Sequence, residues 1–205
     1  RQMCIRDSRY SIRNDMALKV LIRKLAESVK QPSSFTRLAN LVSSTGKKIT
    51  TDTIIDYLNY LEDTWILFPL ENYVSKLADK VSNKKFYFMD NGILSLFLMD
   101  PETSLLENLV AVTLKKRYGD GLYFYHRNIE VDFYLDEAHK AIQVSYSLKD
   151  PETRKREVNA LLKLAENVAV DDLCIITRDE EEMIVEGEKT IRVVPVWRWL
   201  LDDEE

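Results

Sequence analysis

The chain has 205 residues, 45% hydrophobic and 31% charged, enough for one sizeable core or two small ones. Five glycines and five prolines make up about 5% of it, where average usage gives roughly 12%. That shortage excludes collagen-like and low-complexity chains and points to helices and strands joined by short loops. Ser43-Ser-Thr-Gly-Lys-Lys48 ends like a phosphate-binding loop, but position 41, where the first glycine belongs, is leucine. ATP binding through a P-loop is therefore not expected of this chain.

Two cysteines, Cys4 and Cys174, cannot make a disulfide framework or a thiolate metal site, which fits a reducing compartment. No run approaches the ~20 apolar residues that cross a bilayer, and the start lacks an apolar signal core. The sequence reads as soluble and cytoplasmic, without a membrane partner. The net charge of −5 hides an asymmetry. Residues 9–48 carry nine Lys/Arg against Asp15 and Glu27, a net +7, whereas residues 178–205 carry ten acids against four bases, a net −6. Surfaces this different suggest different partners.

Residues 1–8, Arg-Gln-Met-Cys-Ile-Arg-Asp-Ser, have no periodicity and no cap. Back-translated as AGA CAG ATG TGT ATA AGA GAC AGx, they resemble the end of a transposase-based sequencing adapter. The expectation is that they are adapter read-through and that the natural protein extends further toward its N-terminus.

Asn14 is a plausible N-cap for a first helix with Leu18, Leu21, Ile22, Leu25 and Val29 at helical spacing. Ser33 or Ser34 caps a second, with Phe35, Leu38, Ala39 and Val42 inward and Gly46 beyond its end. Thr51 or Asp52 caps a third, whose Ile54, Ile55, Leu58, Leu61 and Trp65 form one apolar face. Trp65–Leu70 and Phe86–Met89 read as two strands. Three helices followed by a two-stranded wing is the order of a winged helix, assigned to residues 9–82. Residues 83–100 form a connector that includes a short apolar helix, Ile93–Leu98.

A second pattern fills residues 101–205. A long helix runs from Pro101 to Tyr118, with Gly119 just past its end. Strands follow at Leu122–His126, Glu130–Leu135 and Ala141–Ser145. Asp150-Pro-Glu-Thr opens another helix to about Val168, and Leu173–Thr177 is a further strand. A hairpin (Met183–Val185, Ile191–Val194) and a short helix, Val196–Leu201, close the chain. This is an α/β unit with a mixed sheet, giving α/β (α+β overall) for the whole chain.

Chemistry-bearing residues fall at particular places in this second unit. Glu107 sits mid-helix, Asp132 sits inside an apolar strand where an unpaired carboxylate would be costly, and Gln143 and Ser145 share a face of the next strand. A metal-dependent phosphodiesterase needs a few carboxylate ligands for Mg²⁺ and a lysine beside them. The order Glu107, Asp132, Gln143-x-Ser145 on helix, strand and strand resembles the restriction-endonuclease-like (PD-(D/E)xK) nuclease core.

More widely, residues 9–201 resemble the C-terminal region of bacterial and archaeal AAA-type ATP-binding proteins, a winged helix followed by a nuclease-like domain. The matching stretches are Lys85-Phe-Tyr-Phe-Met-Asp-Asn-Gly-Ile-Leu94, Leu106-Glu-Asn-Leu-Val-Ala111, Tyr123-Phe-Tyr-His-Arg127 with Glu130-Val-Asp-Phe133, and Pro195-Val-Trp-Arg-Trp-Leu200. The resemblance implies that ATP belongs to an N-terminal ATPase module, the first expected partner, and that this part is a recognition or regulatory platform. Ser145 stands where an active nuclease of this fold has lysine, and Gln143 replaces an acidic ligand. A degenerate nuclease fold is therefore expected. The alternative is an Mg²⁺-dependent nuclease using Glu107, Asp132 and Gln143, with Glu107 and Asp132 as metal ligands and Lys140 or Lys149 in place of the missing lysine.

A third reading is a DNA-binding module acting through Arg37, Lys47 and Lys48. The third helix opposes major-groove reading, because it carries Asp52, Asp56, Glu62 and Asp63 and no Lys or Arg. His126 and His139 read as surface residues, Cys174 as a core thiol, and Asp202–Glu205 as a solvated tail.

Overall fold

The structure, a computed structural model, describes residues 14–46, 48–74 and 83–202. Residues 1–8, Lys47 and the acidic tail from Asp203 lie outside the described residues. Mixed α/β architecture is observed, with seven α-helices among the described residues and a large mixed sheet. The chain divides into two compact units, one ending at Pro69 and resuming through Met99, the other taking Leu70 onward and all residues from Asp100.

In the first unit, α1 (Asp15–Glu27) is capped by Asn14, whose side chain accepts from the Ala17 N–H at 3.1 Å. β1 (Ser33–Ser34) leads into α2 (Phe35–Ser43), capped by Ser34. α3 (Thr51–Asp63) is capped by Thr50, one residue earlier than the sequence suggests, because the Thr50 hydroxyl accepts from the Thr53 N–H. Leu21, Leu25, Leu38, Ile54, Leu58 and Leu61 are fully buried, so the helical stripes read from the sequence do face the core. β2 (Leu67–Asn72) and β3 (Asn83–Phe88) follow, with β1 antiparallel to β3. The two-residue β1 has no periodicity to announce it. α4 (Asn91–Ser95), capped by Asp90, starts two residues before the expected short helix and ends three residues sooner.

Trp65 overturns its inward assignment. α3 ends at Asp63, and the chain reverses with the Ile66 N–H on the Leu61 carbonyl (3.0 Å) and the Trp65 N–H on that of Glu62 (2.9 Å). This pair of bonds is a Schellman motif. Trp65 occupies its left-handed position at φ 57°, where glycine is usual, and is 75% exposed.

In the second unit, α5 (Glu102–Tyr118) ends at Gly119, which has φ 59°. A single 3₁₀ turn, Gly119–Gly121, leads into β4 (Leu122–His126), β5 (Glu130–Leu135) and β6 (Lys140–Val144). Next come α6 (Pro151–Ala165), β7 (Asp172–Thr177), β8 (Glu182–Glu186), β9 (Lys189–Pro195) and α7 (Val196–Leu201). β4, β5 and β6 are successively antiparallel, β6, β7 and β9 are parallel, and β8 returns antiparallel on β9. The end of β2 lies parallel to β4. There the buried Asn72 amide donates to the His126 carbonyl (2.7 Å) and accepts from its N–H (3.0 Å), acting as one more strand residue.

α6 packs on β5 and β6 as the crossover to β7. Its Val158, Leu161 and Leu164 pack in one core with Val131, Ala141 and Ile175 of the sheet, each of the larger aliphatic side chains contributing roughly 1.5–3 kcal/mol if fully buried. α5 packs on β4 and β6, and α7 on β7 and β9. Cys174 is buried, as expected of a core thiol. His126 and His139 are exposed.

Candidate functional site

Residues Asp132 and Gln143 meet across the β5–β6 ladder, opposite one another beside the Phe133–Ile142 pair. The Gln143 amide oxygen accepts from the Asp132 N–H at 2.8 Å. Its nitrogen donates to the Glu130 carbonyl at 3.2 Å and to Glu157 Oε2 at 2.8 Å. The half-buried Asp132 turns Oδ2 onto the Val144 N–H at 2.9 Å. The Gln143 side chain thus ties the main chain of β5 to the Glu157 carboxylate of α6, while the Asp132 carboxylate caps the main chain of β6.

Glu157 was not singled out in the sequence, although a signal for it is present. It shares an inward stripe with Leu161 and Leu164 at i, i+4 and i+7 on α6, a stripe that would ordinarily hold only apolar residues. It is 7% exposed. Burial pushes its carboxyl above the ordinary range; the charges of Asp132 and Glu130 add to this, while Arg156, bonded to its other oxygen at 2.6 and 3.1 Å, opposes it.

Ser145 lies just past the end of β6, not within it. Its N–H continues the ladder to the Ile176 carbonyl at 3.0 Å, and its hydroxyl donates to the Ser147 carbonyl at 3.1 Å. The loop it enters is held by Glu180, which accepts from the Ser147 hydroxyl (2.6 Å) and the Leu148 N–H (3.2 and 3.1 Å). Glu107 is buried in α5 at 3% exposure. Of the two substitute lysines, Lys140 pairs with Asp172 (3.4 Å) at the start of β6, the opposite end of that strand from Ser145, and Lys149 is exposed.

A metal-dependent nuclease would need carboxylate oxygens open to Mg²⁺ and a cation beside them. Here the Gln143 amide spends its oxygen and its nitrogen's N–H groups inside the protein, and Ser145 offers a neutral hydroxyl. Among the described residues, no group of three or more His, Cys, Asp or Glu is placed to hold a metal ion.

In the first unit, Arg37 and Lys48 are exposed, and Lys47 lies outside the described residues. The outer face of α3 shows Asp52, Asp56, Asn59 and Asp63, all exposed at helical spacing. This acidic ridge would repel the phosphates of a major groove.

Comparison with known proteins gives uncharacterised relatives. The chain is 33% identical to an uncharacterised protein of Methanocaldococcus jannaschii, over 94% of this chain and 46% of that protein. It is 24% identical to an uncharacterised protein of Haemophilus influenzae, over 94% of this chain and 48% of the other. The chain thus spans about half the length of the curated relatives it matches. No solved structure matches it, and no described helix is long and apolar enough to cross a membrane. Residues 2–104 match the family Domain of unknown function (DUF8612), and the chain belongs to that family.

Proposed function

We propose that this chain is a non-catalytic recognition or regulatory platform within a longer protein, built on a nuclease-like scaffold whose site residues have become structural. One observation carries the reading. The Gln143 amide is bonded to the Asp132 N–H, the Glu130 carbonyl and Glu157 at once, so this side chain is taken up within the protein. The order of helices and strands in the first unit supports a winged helix, and the mixed sheet with helices α5 and α6 supports the nuclease-like class. Relatives about twice as long support a longer parent; that its N-terminal module binds and hydrolyses ATP in the cytoplasm rests on the resemblance of the sequence motifs to AAA-type ATP-binding proteins.

The test is incubation of the chain with supercoiled plasmid and Mg²⁺ or Mn²⁺. No nicking is expected. Nicking that disappears in Asp132→Ala would establish the nuclease alternative in its place. Binding of duplex DNA with a steep salt slope, weakened by Arg37→Ala and by replacing Lys47 and Lys48, would instead favour the DNA-binding module.

A further inference from the structure

We propose that the open edge of β8 binds an extended segment of a partner protein by strand addition, the partner carrying a basic residue on each side of a short apolar run. Among the described residues, β8 ends the strand order and is paired with β9. The two are joined by a two-residue turn, Gly187-Glu188, in which Gly187 has φ 61° and Glu186 faces Lys189. The closing pair of such a hairpin exchanges both main-chain bonds, and bonded and non-bonded pairs then alternate. Glu182, Ile184 and Glu186 therefore turn their main chain toward β9. Met183 and Val185 turn their N–H and C=O groups outward, to the open edge.

The side chains of those two residues are equally open. Ile184 is buried in the core beneath α6, so its neighbours project from the opposite face, where Met183 is 61% and Val185 67% exposed. An edge built to repel other strands carries lysine, proline or a bulge at its outward positions. β8 carries none of these, and its acids stand at its two ends.

Charge selects the occupant. A second copy of β8, added antiparallel about Ile184, would set Glu182 of each copy against Glu186 of the other. Like charges directly opposed are unfavourable. Glu182 already holds Arg154 in a two-bond pair, with Glu180 and Glu186 acting on the same guanidinium and Lys189 opposite Glu186, so three acids stand against two bases and this edge remains net negative. A strand with lysine or arginine facing Glu182 and Glu186 relieves that excess. Its main chain supplies affinity and its two apolar residues meet Met183 and Val185.

The partner's identity as a recognition target rests on the platform reading, but the two fail separately. Plasmid nicking removes the platform and leaves the edge untouched, and absence of peptide binding removes the edge alone. The experiment uses the full chain and a fluorescein-labelled peptide, Gly-Gly-Lys-Val-Thr-Val-Lys-Gly-Gly, read by anisotropy. Saturable binding is expected, at least about tenfold tighter than that of the peptide with glutamate at both lysine positions. Amide exchange at Met183 and Val185 should slow by about tenfold at saturation. Met183→Lys with Val185→Lys should weaken binding by about tenfold with the melting temperature unchanged, since both side chains are exposed. Equal binding of the two peptides, no saturable binding, or protection confined to another strand overturns the proposal. So does a concentration-dependent dimer abolished by the same substitutions, which assigns the edge to a second copy.

Discussion

Gln143→Glu, which introduces the acid expected from the resemblance to nuclease cores, should destabilise the protein without making it an enzyme. The substitution is nearly isosteric, so packing changes little. What it removes is donation: the Glu130 carbonyl loses its 3.2 Å partner and Glu157 loses its 2.8 Å one. Two net hydrogen bonds, one of them to a charged group, amount to about 3 kcal/mol. The new carboxylate would also face Glu157 at contact distance, and the pair would respond by sharing a proton.

For a chain of this size, about 3 kcal/mol lowers the melting temperature by roughly 6–12 °C. The sign with pH follows from the direction of the shift. A carboxyl whose folded pKa lies above its unfolded value weakens the fold fully above the folded pKa, and not at all below the unfolded one. The deficit should therefore be largest near pH 7.5 and shrink on titration toward pH 4.5. Thermal melts of both proteins by circular dichroism at several pH values provide the assay. A melting temperature at pH 7.5 within about 2 °C of the parent, or a deficit independent of pH, refutes the bonding assigned to Gln143. Rescue of the variant by Mg²⁺ would show that the new carboxylate completes a metal site with its neighbours.

Two further changes test the local geometry. Trp65→Gly should be more stable than Trp65→Ala by about 1 kcal/mol, because both remove the indole and glycine alone tolerates φ 57° without cost; the reverse order, normal inside a helix, refutes the left-handed cap. Asn72→Leu should cost about 2–4 kcal/mol by urea unfolding, since it strips both bonds from the His126 main chain, and a loss below about 1 kcal/mol contradicts its role as a surrogate strand residue.

The long periodic elements were legible because one physical rule fixes each of them. Asn14, Ser34 and Asp150 cap the helices they precede, and Gly119 stops the longest one. β4 and β5 lie between the residues their alternation predicted. Legibility failed where two rules competed. Trp65 continues the apolar spacing of α3, yet the main chain needs a left-handed residue there to enter β2, and the turn prevailed over burial of an indole. β1 is two residues long, too short for any period, and its pairing with Lys84 and Asn83 depends on sequence far away.

The site was half legible for a more specific reason. A carboxylate in an apolar strand signals that something must satisfy it, but the cost of burial is the same whether the partner is a metal ion or an N–H group. Asp132 could therefore be located from sequence, and its role could not. What separates the two roles is the company it keeps. A metal site gathers acids with free oxygens, whereas here an amide stands between the Asp132 strand and Glu157, and an amide can bridge a main-chain N–H and a carboxylate as no second ionised acid could. Glutamine at position 143 is thus not simply a ligand weakened by the loss of its charge. It is the residue type that the buried glutamate on α6 requires, and the glutamate in turn was visible as the one acid on that helix's inward stripe.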